Sequence, residues 1–214
     1  LAGSPVAPRY AYPYAAWLAL APATYAWDRP AGEAVVSHES ACQVLGLGAP
    51  TLSSATLTAV RPLPEPRATV LHVAELRPDD ITVHEGVPVT TARRTVVDLV
   101  RDHTDHLEVR RAITDAVRLD LVDLTELYDD LRPLAAEFHF PGAGPEFARY
   151  FLADVTTGAL SVRNLRALAE LVLPDRVDRA QIAVASALAA ANVAADQRLS
   201  RDVAAEITGR LGLA

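Results

Sequence analysis

Between residues 51 and 91 the chain carries a series of short segments rich in Val, Thr and Ile. The segments span residues 55–60, 69–76, 80–86 and 87–91. β-Branched residues favour strands, and the intervening sequences RPLPEPR and RPDD are typical of turns. Strands so short and so closely spaced predict a meander or a small mixed or antiparallel sheet of three to four strands.

The N-terminal region carries the most apolar run that precedes the strands. Residues 14–21 predict a helix that stops at Pro22, after an extended lead-in over residues 1–13. The apolar run 14–27 is too short to span a bilayer, so a buried helix is favoured over a signal peptide. Because the chain begins at Leu1 without Met, we expect a further N-terminal segment to precede it.

A short apolar strand and a second helix are predicted over residues 34–48. Ser37 is the candidate N-cap, because its hydroxyl can accept a hydrogen bond from an exposed amide of the first turn. Gly46 or Gly48 ends the helix, since glycine adopts the left-handed conformation common at that position. Cys42 lies on the inner side of this helix and is predicted to be a small buried hydrophobic residue.

After Thr91 the chain is predicted to be helical to its end. The clearest apolar stripe at helical spacing lies within residues 107–118, at Val109, Ala112, Ile113, Ala116 and Val117. Further helices are predicted over residues 92–102, 123–131, 145–155, 161–173, 178–196 and 200–213, with Ser161 and Ser200 as N-caps.

The sequence PGAGP at residues 141–145 predicts a domain boundary. It divides the chain into an α/β domain over residues 1–140 and a helical C-terminal region over residues 141–214. The predicted fold class is therefore α/β of the α+β type. A small sheet is flanked by helices and followed by an all-helical tail.

Charge and cysteine content narrow the function classes. The net charge is −7, all 20 basic residues are Arg, and residues 61–132 carry 10 Arg against 15 acidic residues. An acidic chain without a basic run binds phosphate backbones poorly on its own. Cys42 is the only cysteine, which excludes an intrachain disulfide, argues against a cysteine-based zinc cluster and is typical of a cytoplasmic protein.

The sequence contains no phosphate-binding glycine loop, no nucleophile elbow and no paired metal-ligand motif. His103 and His106 in the sequence HTDH are spaced to meet on a helix, but a solvated turn is the favoured interpretation. We therefore assign no catalytic, cofactor-binding or metal-binding residue.

Three other histidines also have structural interpretations. His38 and Glu39 follow Ser37, which invites a catalytic role, but an N-cap with polar neighbours in a first turn is favoured. His72 and His84 alternate with apolar residues along predicted strands, so we expect both side chains to face solvent.

The sequence GVPVTTARRTVVDLV, residues 86–100, joins the last strand to the helix that follows. The hydroxyl of Thr90 or Thr91 can cap the exposed amides of this helix. Arg94 and Asp98 are one turn apart and predict an exposed ion pair worth about 0.3–0.5 kcal/mol. Local interactions therefore predict a capped helix and no more.

The same helix offers one candidate interaction site. Arg93, Arg94 and Arg101 would present guanidinium groups from one end of the helix to an anionic partner.

The order of these pieces resembles the AbiEi-type antitoxin family of bacterial type IV toxin–antitoxin systems. The resemblance covers roughly residues 15–131 and rests on AAWLALAP (15–22), VVSHESACQVLGLG (35–48), TLTAV (56–60), VLHVAELRPDDITVHEGVPVTTARRTVVDLV (70–100) and AITDAVRLDLVDLTELYDDL (112–131). The most specific part is DDITVHEGVPVTTARRTVVDL, where an acidic turn, a short strand, the Thr-Thr joint and Arg-Thr-x-x-Asp follow in the family's order. The motif positions with an implied structural role are Ser37, His38, Thr90, Thr91, Thr95 and Asp98.

The resemblance implies a cytoplasmic regulator that is not an enzyme and needs no cofactor. Such antitoxins have an N-terminal winged helix-turn-helix that binds operator DNA and represses the operon, and a C-terminal α/β domain that provides antitoxin activity. The cognate toxin is a nucleotidyltransferase-like protein, usually countered without a stable complex. The sequence begins where the winged helix should already have ended, so we expect operator binding to require that missing domain. A homodimer is a further candidate assembly, and no membrane association is expected.

Two alternatives stay open. The front region also resembles the segment that precedes a Vsr-like or restriction-type nuclease domain, but the C-terminal region lacks the Lys and the carboxylate cluster that such metal-assisted hydrolysis needs. The other alternative is a non-catalytic protein-interaction or dimerisation module. Ile182, Ala185, Ala189 and Val193 form one line on a predicted helix, which either packs on its own domain or makes a dimer contact.

Overall fold

The computed structural model describes residues 10–30, 32–48, 53–102, 105–194 and 196–213. In these ranges the strands are β1 (Ala34–Val36), β2 (Ala55–Ala59), β3 (Thr69–Val73), β4 (Ile81–His84) and β5 (Val87–Thr90). The α-helices are α1 (Ala11–Ala19), α2 (His38–Leu45), α3 (Ala92–Asp102), α4 (His106–Arg118), α5 (Leu124–Leu131), α6 (Gly144–Phe151), α7 (Val162–Val172), α8 (Pro174–Ala190) and α9 (Gln197–Gly212). The chain divides into two compact units, residues 1–115 and 116–214.

The first unit is organised around one mixed sheet of five strands in the order β3-β2-β1-β5-β4. β1 pairs antiparallel with β2 and parallel with β5, while β3 joins β2 in parallel and β4 joins β5 antiparallel. The predicted α+β fold with a mixed sheet is confirmed, but the sheet has five strands and is not a meander. The additional strand is the predicted apolar segment 34–36, which takes the central position, where all three of its residues are buried.

The core of the first unit forms where α1 and α2 pack on the central strands. Trp17 of α1 and Val44 of α2 are buried in one cluster with Leu57 of β2 and Val89 of β5. The indole Nε1 of Trp17 also donates a hydrogen bond of 2.8 Å to the carbonyl of Ala34. Helix α1 is therefore attached to β1 by a polar contact as well as by apolar packing.

Helix α1 begins earlier than predicted. It covers Ala11–Ala19 instead of residues 14–21, so the end of the predicted lead-in is helical. Pro13 lies in the first turn, where its missing N–H costs no hydrogen bond of the helix. The helix ends before Pro22, and residues 1–9 of the predicted lead-in lie outside the described residues.

Helix α2 ends at the predicted place but begins differently. Gly46 follows its last residue with a φ of 74°, the left-handed conformation expected of a terminating glycine. Ser37 occupies the N-cap position, yet its hydroxyl does not cap the helix. Instead it accepts a hydrogen bond of 2.8 Å from the hydroxyl of Thr58 on β2. The predicted cap was wrong because the neighbouring strand, which is distant in sequence, supplies the partner.

Helix α3 follows β5 directly, as predicted. The amide of Arg94 donates a hydrogen bond of 3.3 Å to the hydroxyl of Thr91, which therefore caps the first turn. The hydroxyl of Thr90 lies 2.7 Å from that of Thr95 in a second, buried hydrogen bond. The two threonines together hold the joint between strand and helix.

Farther along the chain, the apolar stripe predicted within 107–118 is buried in full in α4.

The second unit contains the segments on both sides of the sequence PGAGP. The hydroxyl of Tyr128 donates a hydrogen bond of 2.8 Å to the carbonyl of Gly142, and the ring of Phe140 packs edge-on against Phe147. These contacts hold the loop against the helices on either side. The boundary predicted at 141–145 therefore lies inside one compact unit, and the chain divides between residues 115 and 116 instead.

Asn164 connects α7 to the turn between α4 and α5. Its side chain is fully buried, and its Oδ1 accepts a hydrogen bond of 2.9 Å from the amide of Leu124. Its Nδ2 donates to the carbonyls of Val117 and Val122 at 3.1 and 3.0 Å. Ser161 caps α7, as predicted, by accepting a hydrogen bond from the Asn164 amide. One amide side chain therefore satisfies three buried backbone groups.

The predicted N-cap of the last helix was wrong. Asp196 caps α9 by accepting a hydrogen bond of 2.7 Å from the amide of Leu199. Ser200 lies inside the helix, where its buried hydroxyl donates to the carbonyl of Asp196. A carboxylate caps a helix as well as a hydroxyl does. With Asp196 as its N-cap, α9 begins four residues earlier than it would with Ser200 in that position.

Of the two alternatives for the apolar line on α8, packing on its own domain is not observed. Ile182, Ala185 and Ala189 face solvent, with Ile182 73% exposed, and Val193 follows the end of the helix. The buried side of α8 carries Val177, which packs in a cluster with Ala169, Ala204 and Ala205. Within the described residues, none of the helices combines the length and the hydropathy needed to cross a membrane.

Replacement of Asn164 by alanine is expected to destabilise the second unit. The substitution leaves the Leu124 amide without its partner, and a buried unsatisfied group costs about 1–3 kcal/mol. It also removes one hydrogen bond each from the carbonyls of Val117 and Val122, which keep the Asp120 amide and the Arg163 guanidinium as donors. We expect urea denaturation to show a loss of at least about 2 kcal/mol in the free energy of unfolding. Glu137→Ala, at an exposed position of the same unit, should change that free energy by less than about 0.5 kcal/mol. Equal losses in the two variants would contradict the assigned role of Asn164.

Candidate functional site

The candidate site lies where α2 leaves the sheet, beside the last residue of α3. β1 and β5 pair in parallel, with Val36 opposite Val89, so the helices that follow these strands begin at the same edge of the sheet. Side chains near the carboxyl ends of neighbouring parallel strands converge in this way in many open sheets. β3 lies on the other side of β1, beyond β2, and contributes His72 to the site. His72 is aligned with Thr58 of β2.

Two histidines and one aspartate meet at this edge. The Nε2 atom of His38 lies 2.9 Å from Oδ2 of Asp102, and the Nδ1 atom of His72 lies 3.3 Å from the same oxygen. The two imidazole rings are stacked, with 4.1 Å between their centroids and 19° between their planes. We call His38, His72 and Asp102 the imidazole–carboxylate cluster; α2, β3 and α3 each supply one member.

His38 is held at both ring nitrogens. Its Nδ1 lies 2.9 Å from the hydroxyl of Ser37, which in turn accepts a hydrogen bond from Thr58. Its Nε2 contacts Asp102, as described above. The backbone of His38 has a φ of 50°, an uncommon conformation for a residue with a side chain. These contacts hold the ring in one orientation although the backbone there is strained.

Burial favours the neutral form of the His38 imidazole. Its side chain is 4% exposed, whereas those of His72 and Asp102 are 31% and 47% exposed. Burial lowers the pKa of His38, and the neighbouring His72 lowers it further, against the opposing effects of Asp98 and Asp102. A neutral imidazole retains one nitrogen lone pair, so His38 can act as an acceptor or as a metal ligand.

Arg94 forms a second network on the outer side of the joint between β5 and α3. Its Nε donates to both carboxylate oxygens of Asp98 at 2.8 and 2.9 Å, and its Nη1 donates to Oδ2 of Asp80 at 2.8 Å. The same Nη1 reaches the carbonyl of Glu75 at 3.0 Å. Burial lowers the pKa of Arg94, but the two carboxylates outweigh it, so that the pKa is raised overall.

This network corrects two predictions about the helix. The Arg94 and Asp98 side chains are only 15% and 8% exposed, so they form a buried pair and not the exposed pair predicted. Arg94 is also engaged with the acidic turn and does not present its guanidinium to an outside anion. Arg93 is half-buried with interactions of its own, which leaves Arg101 as the exposed member of the predicted arginine set.

The other predicted positions have mixed outcomes. Cys42 is buried, as predicted, and burial raises the pKa of its thiol. His84 is partly buried with its ring 4.9 Å from that of Tyr10, so the prediction that it faces solvent was wrong. The same prediction for His72 was wrong, because its ring stacks on His38. The pair proposed from HTDH cannot be followed, since residue 103 lies outside the described residues.

The imidazole–carboxylate cluster itself was missed by sequence reasoning. His38, His72 and Asp102 are separated by 34 and 30 residues, so no local spacing connects them. The available signal was weaker, because only His38 lies at a predicted strand–helix joint. The pairing of β2 with both β1 and β3 places His72 on the same sheet as the strand that precedes His38, and Asp102 reaches the two rings from the end of α3.

A second concave surface lies in the second unit. It has a volume of about 790 Å³ and is lined by residues of α5, α7 and α9. Its charged residues are Arg163, Arg166, Arg198, Asp123, Asp129, Glu170 and Asp202. Arg166 is paired with Asp202 and Glu206, and Arg163 with Asp123. The two signs of charge largely compensate each other, so the groove favours neither an anionic nor a cationic ligand.

Comparison of the chain with models of protein families, with curated proteins and with solved structures gives no match.

Replacement of Arg94 by alanine should destabilise the protein more than an ordinary surface substitution does. It would leave the Asp98 carboxylate buried without its partner, and breaking a buried ion pair costs about 3–5 kcal/mol. Since the pair keeps some contact with solvent, we expect the free energy of unfolding to fall by about 3 kcal/mol, the lower limit of that range. Urea denaturation measures this change.

Arg101→Ala is the matched control, because this arginine is exposed on the same helix. Its effect should stay within about 0.5 kcal/mol. A loss of less than about 1 kcal/mol in Arg94→Ala, the range of an exposed ion pair, would contradict the buried network.

Proposed function

We propose that this chain is the antitoxin component of an AbiEi-like type IV toxin–antitoxin system and acts in the cytoplasm without catalysing a reaction. Its target is a nucleotidyltransferase-like toxin. The proposal rests on one observation: the residues of the most specific sequence motif contact one another. They form a single joint between an acidic turn, a strand and a helix.

The residues of the motif contact one another in the folded chain. Asp80 of the acidic turn binds Arg94, which also binds Asp98, and the Thr91 amide donates to the carbonyl of Asp80 at 2.8 Å. Thr90 and Thr95 form the hydrogen bond beneath them. The polar residues of the motif therefore belong to one joint of the fold.

The charge of the chain supports a regulator that acts on a protein and not by binding nucleic acid alone. The net charge is −7, and Arg94, the motif's most strongly paired arginine, is neutralised by two carboxylates. Phosphate backbones are bound by unpaired basic groups, which release counterions on binding. We assign operator DNA to the winged helix-turn-helix that the family resemblance implies, and antitoxin activity to the α/β unit.

A rescue assay combined with a gel shift tests this division. We expect co-expression of the chain with the nucleotidyltransferase-like toxin encoded beside it to restore colony counts. The purified chain should not shift upstream DNA at a salt concentration of about 0.15 M, because it lacks a basic surface run.

Two variants sharpen the rescue assay. Arg101→Ala removes the exposed arginine of the predicted set, and Arg179→Ala removes an exposed arginine of α8 as the matched control. If Arg101 contacts an anionic group of the target, rescue falls only in Arg101→Ala, with both variants folded by circular dichroism. Failure of the folded wild-type chain to rescue would overturn the antitoxin proposal.

The second candidate function is a dimerisation module, which one observation favours. Ile182 is 73% exposed on a helix face that also carries Ala185 and Ala189. A large apolar side chain amid small residues lets a second helix approach closely.

Sedimentation equilibrium distinguishes a dimer from a monomer. If this face of α8 pairs, the wild-type chain sediments as a dimer and Ile182→Glu as a monomer, because the substitution places a charge in the contact. Leu211→Glu is the control at another exposed apolar position, and it should leave the mass unchanged. A monomeric wild-type chain rules out this second function.

A further inference from the structure

The imidazole–carboxylate cluster has the chemistry of a metal site. One ligand atom each from His38, His72 and Asp102 lies within 4.8 Å of the other two. Two imidazole nitrogens and a carboxylate oxygen are a donor set that zinc and related transition-metal ions prefer. Hard ions such as Ca²⁺ and Mg²⁺ instead select sites made almost wholly of oxygen ligands.

We propose that His38, His72 and Asp102 bind one divalent transition-metal ion, with Zn²⁺ as the best-fitting ion. The sequence alone assigned no metal-binding residue to this chain. The site is independent of the antitoxin proposal, because it rests on three side chains and not on the family resemblance.

The present separations of the ligand atoms fit a bound ion. Zinc–nitrogen and zinc–oxygen distances of about 2.0–2.2 Å place two ligands of a tetrahedral ion about 3.3–3.6 Å apart. The His72 nitrogen already lies 3.3 Å from Asp102 Oδ2, and the His38 nitrogen lies 2.9 Å from it. All three ligand atoms lie within 4.8 Å of one another, so binding of an ion requires side-chain rotations that bring them to tetrahedral distances.

The surroundings of His38 resemble the support that metal-binding histidines receive in other proteins. When Nε2 binds a metal, Nδ1 carries the proton and needs an acceptor. The hydroxyl of Ser37, 2.9 Å from Nδ1, supplies that acceptor and is itself held by Thr58. Because a hydroxyl can donate or accept, Ser37 satisfies His38 both with and without the metal.

The site is closed on one side and open on the other. His38 forms its buried floor, while His72 and Asp102 are partly exposed and give an ion access from solvent. Three ligands from the described residues leave one tetrahedral position for water or for a group of a partner. Zinc sites with three protein ligands and an open position are reactive or regulatory more often than purely structural ones.

Metal binding would also connect three elements that the chain links only at a distance. β3 is an edge strand that pairs with β2 alone, and His72 would join it to α2 and α3. A ligand that binds the folded state and not the unfolded one raises the melting temperature with its concentration. Metal binding can therefore be measured both as a rise in melting temperature and as the number of ions bound per chain.

Equilibrium dialysis of the full chain against Zn²⁺, after removal of metals with a chelator, tests the site. We expect one Zn²⁺ per chain and a rise in melting temperature, and we expect Co²⁺ in the same site to give a visible absorption band. His72→Ala and Asp102→Asn, both at partly exposed positions, should each weaken Zn²⁺ binding on the order of 100-fold and abolish the Co²⁺ band.

His84→Ala and Asp79→Asn are the matched controls. His84 is a partly buried histidine on another strand, and Asp79 is an exposed carboxylate in a turn. Both controls should bind Zn²⁺ like the wild type. Wild-type chain that binds no Zn²⁺ at micromolar concentrations would overturn the proposal, and so would folded His72→Ala and Asp102→Asn variants that bind it unchanged.

Discussion

The parallel pairing of β1 with β5 is the constraint on which the rest of the first unit depends. Residues far apart in sequence, Val36 and Val89, lie opposite each other, so two strand–helix joints leave the sheet at one edge. A parallel pair needs a long connection, and the chain between β1 and β5 supplies α2, β2, β3 and β4. β1, β2 and β5 become fully buried as a result, and α1 and α2 pack on them. Without this pairing neither the core nor the imidazole–carboxylate cluster would form.

Buried charge gives the joint between β5 and α3 its precise geometry. Taking Arg94 and Asp98 out of water is unfavourable unless every charged atom finds a partner. Asp80 and the carbonyl of Glu75 complete the set, and they draw the acidic turn against the helix. The motif DDITVHEGVPVTTARRTVVDL is therefore largely occupied with maintaining its own fold. Residues that act on a partner are to be sought beside the motif and not among its most specific positions.

Exposed residues of the same region lie in the turn between β4 and β5, at Glu85 and Gly86, and at the end of α3. Asp102, the last residue of α3, contacts His38 at the start of α2 and His72 on the edge strand β3. The second unit is tied together by Asn164 and presents an exposed apolar face on α8.

Much of the fold followed from local sequence, because strands and helices are specified by periodicity and by caps. The Thr91 cap, the glycine after α2, the buried stripe of α4 and the α+β class could all be predicted in this way. Errors arose where a distant element supplied the partner. The hydroxyl of Ser37 accepts a hydrogen bond from Thr58 instead of capping its helix, and Arg94 pairs with Asp80 as well as with Asp98.

The sequence by itself determined the secondary structure, the acidic balance and the resemblance on which the antitoxin proposal rests. The tertiary structure alone decided which polar residues meet. His38, His72 and Asp102 carry no common local pattern, and they converge because strand pairing is a long-range interaction between segments that need not be neighbours in the chain. Burial, which lowers the pKa of His38 and encloses the Arg94–Asp98 pair, is likewise a property of the packed fold and not of any single segment.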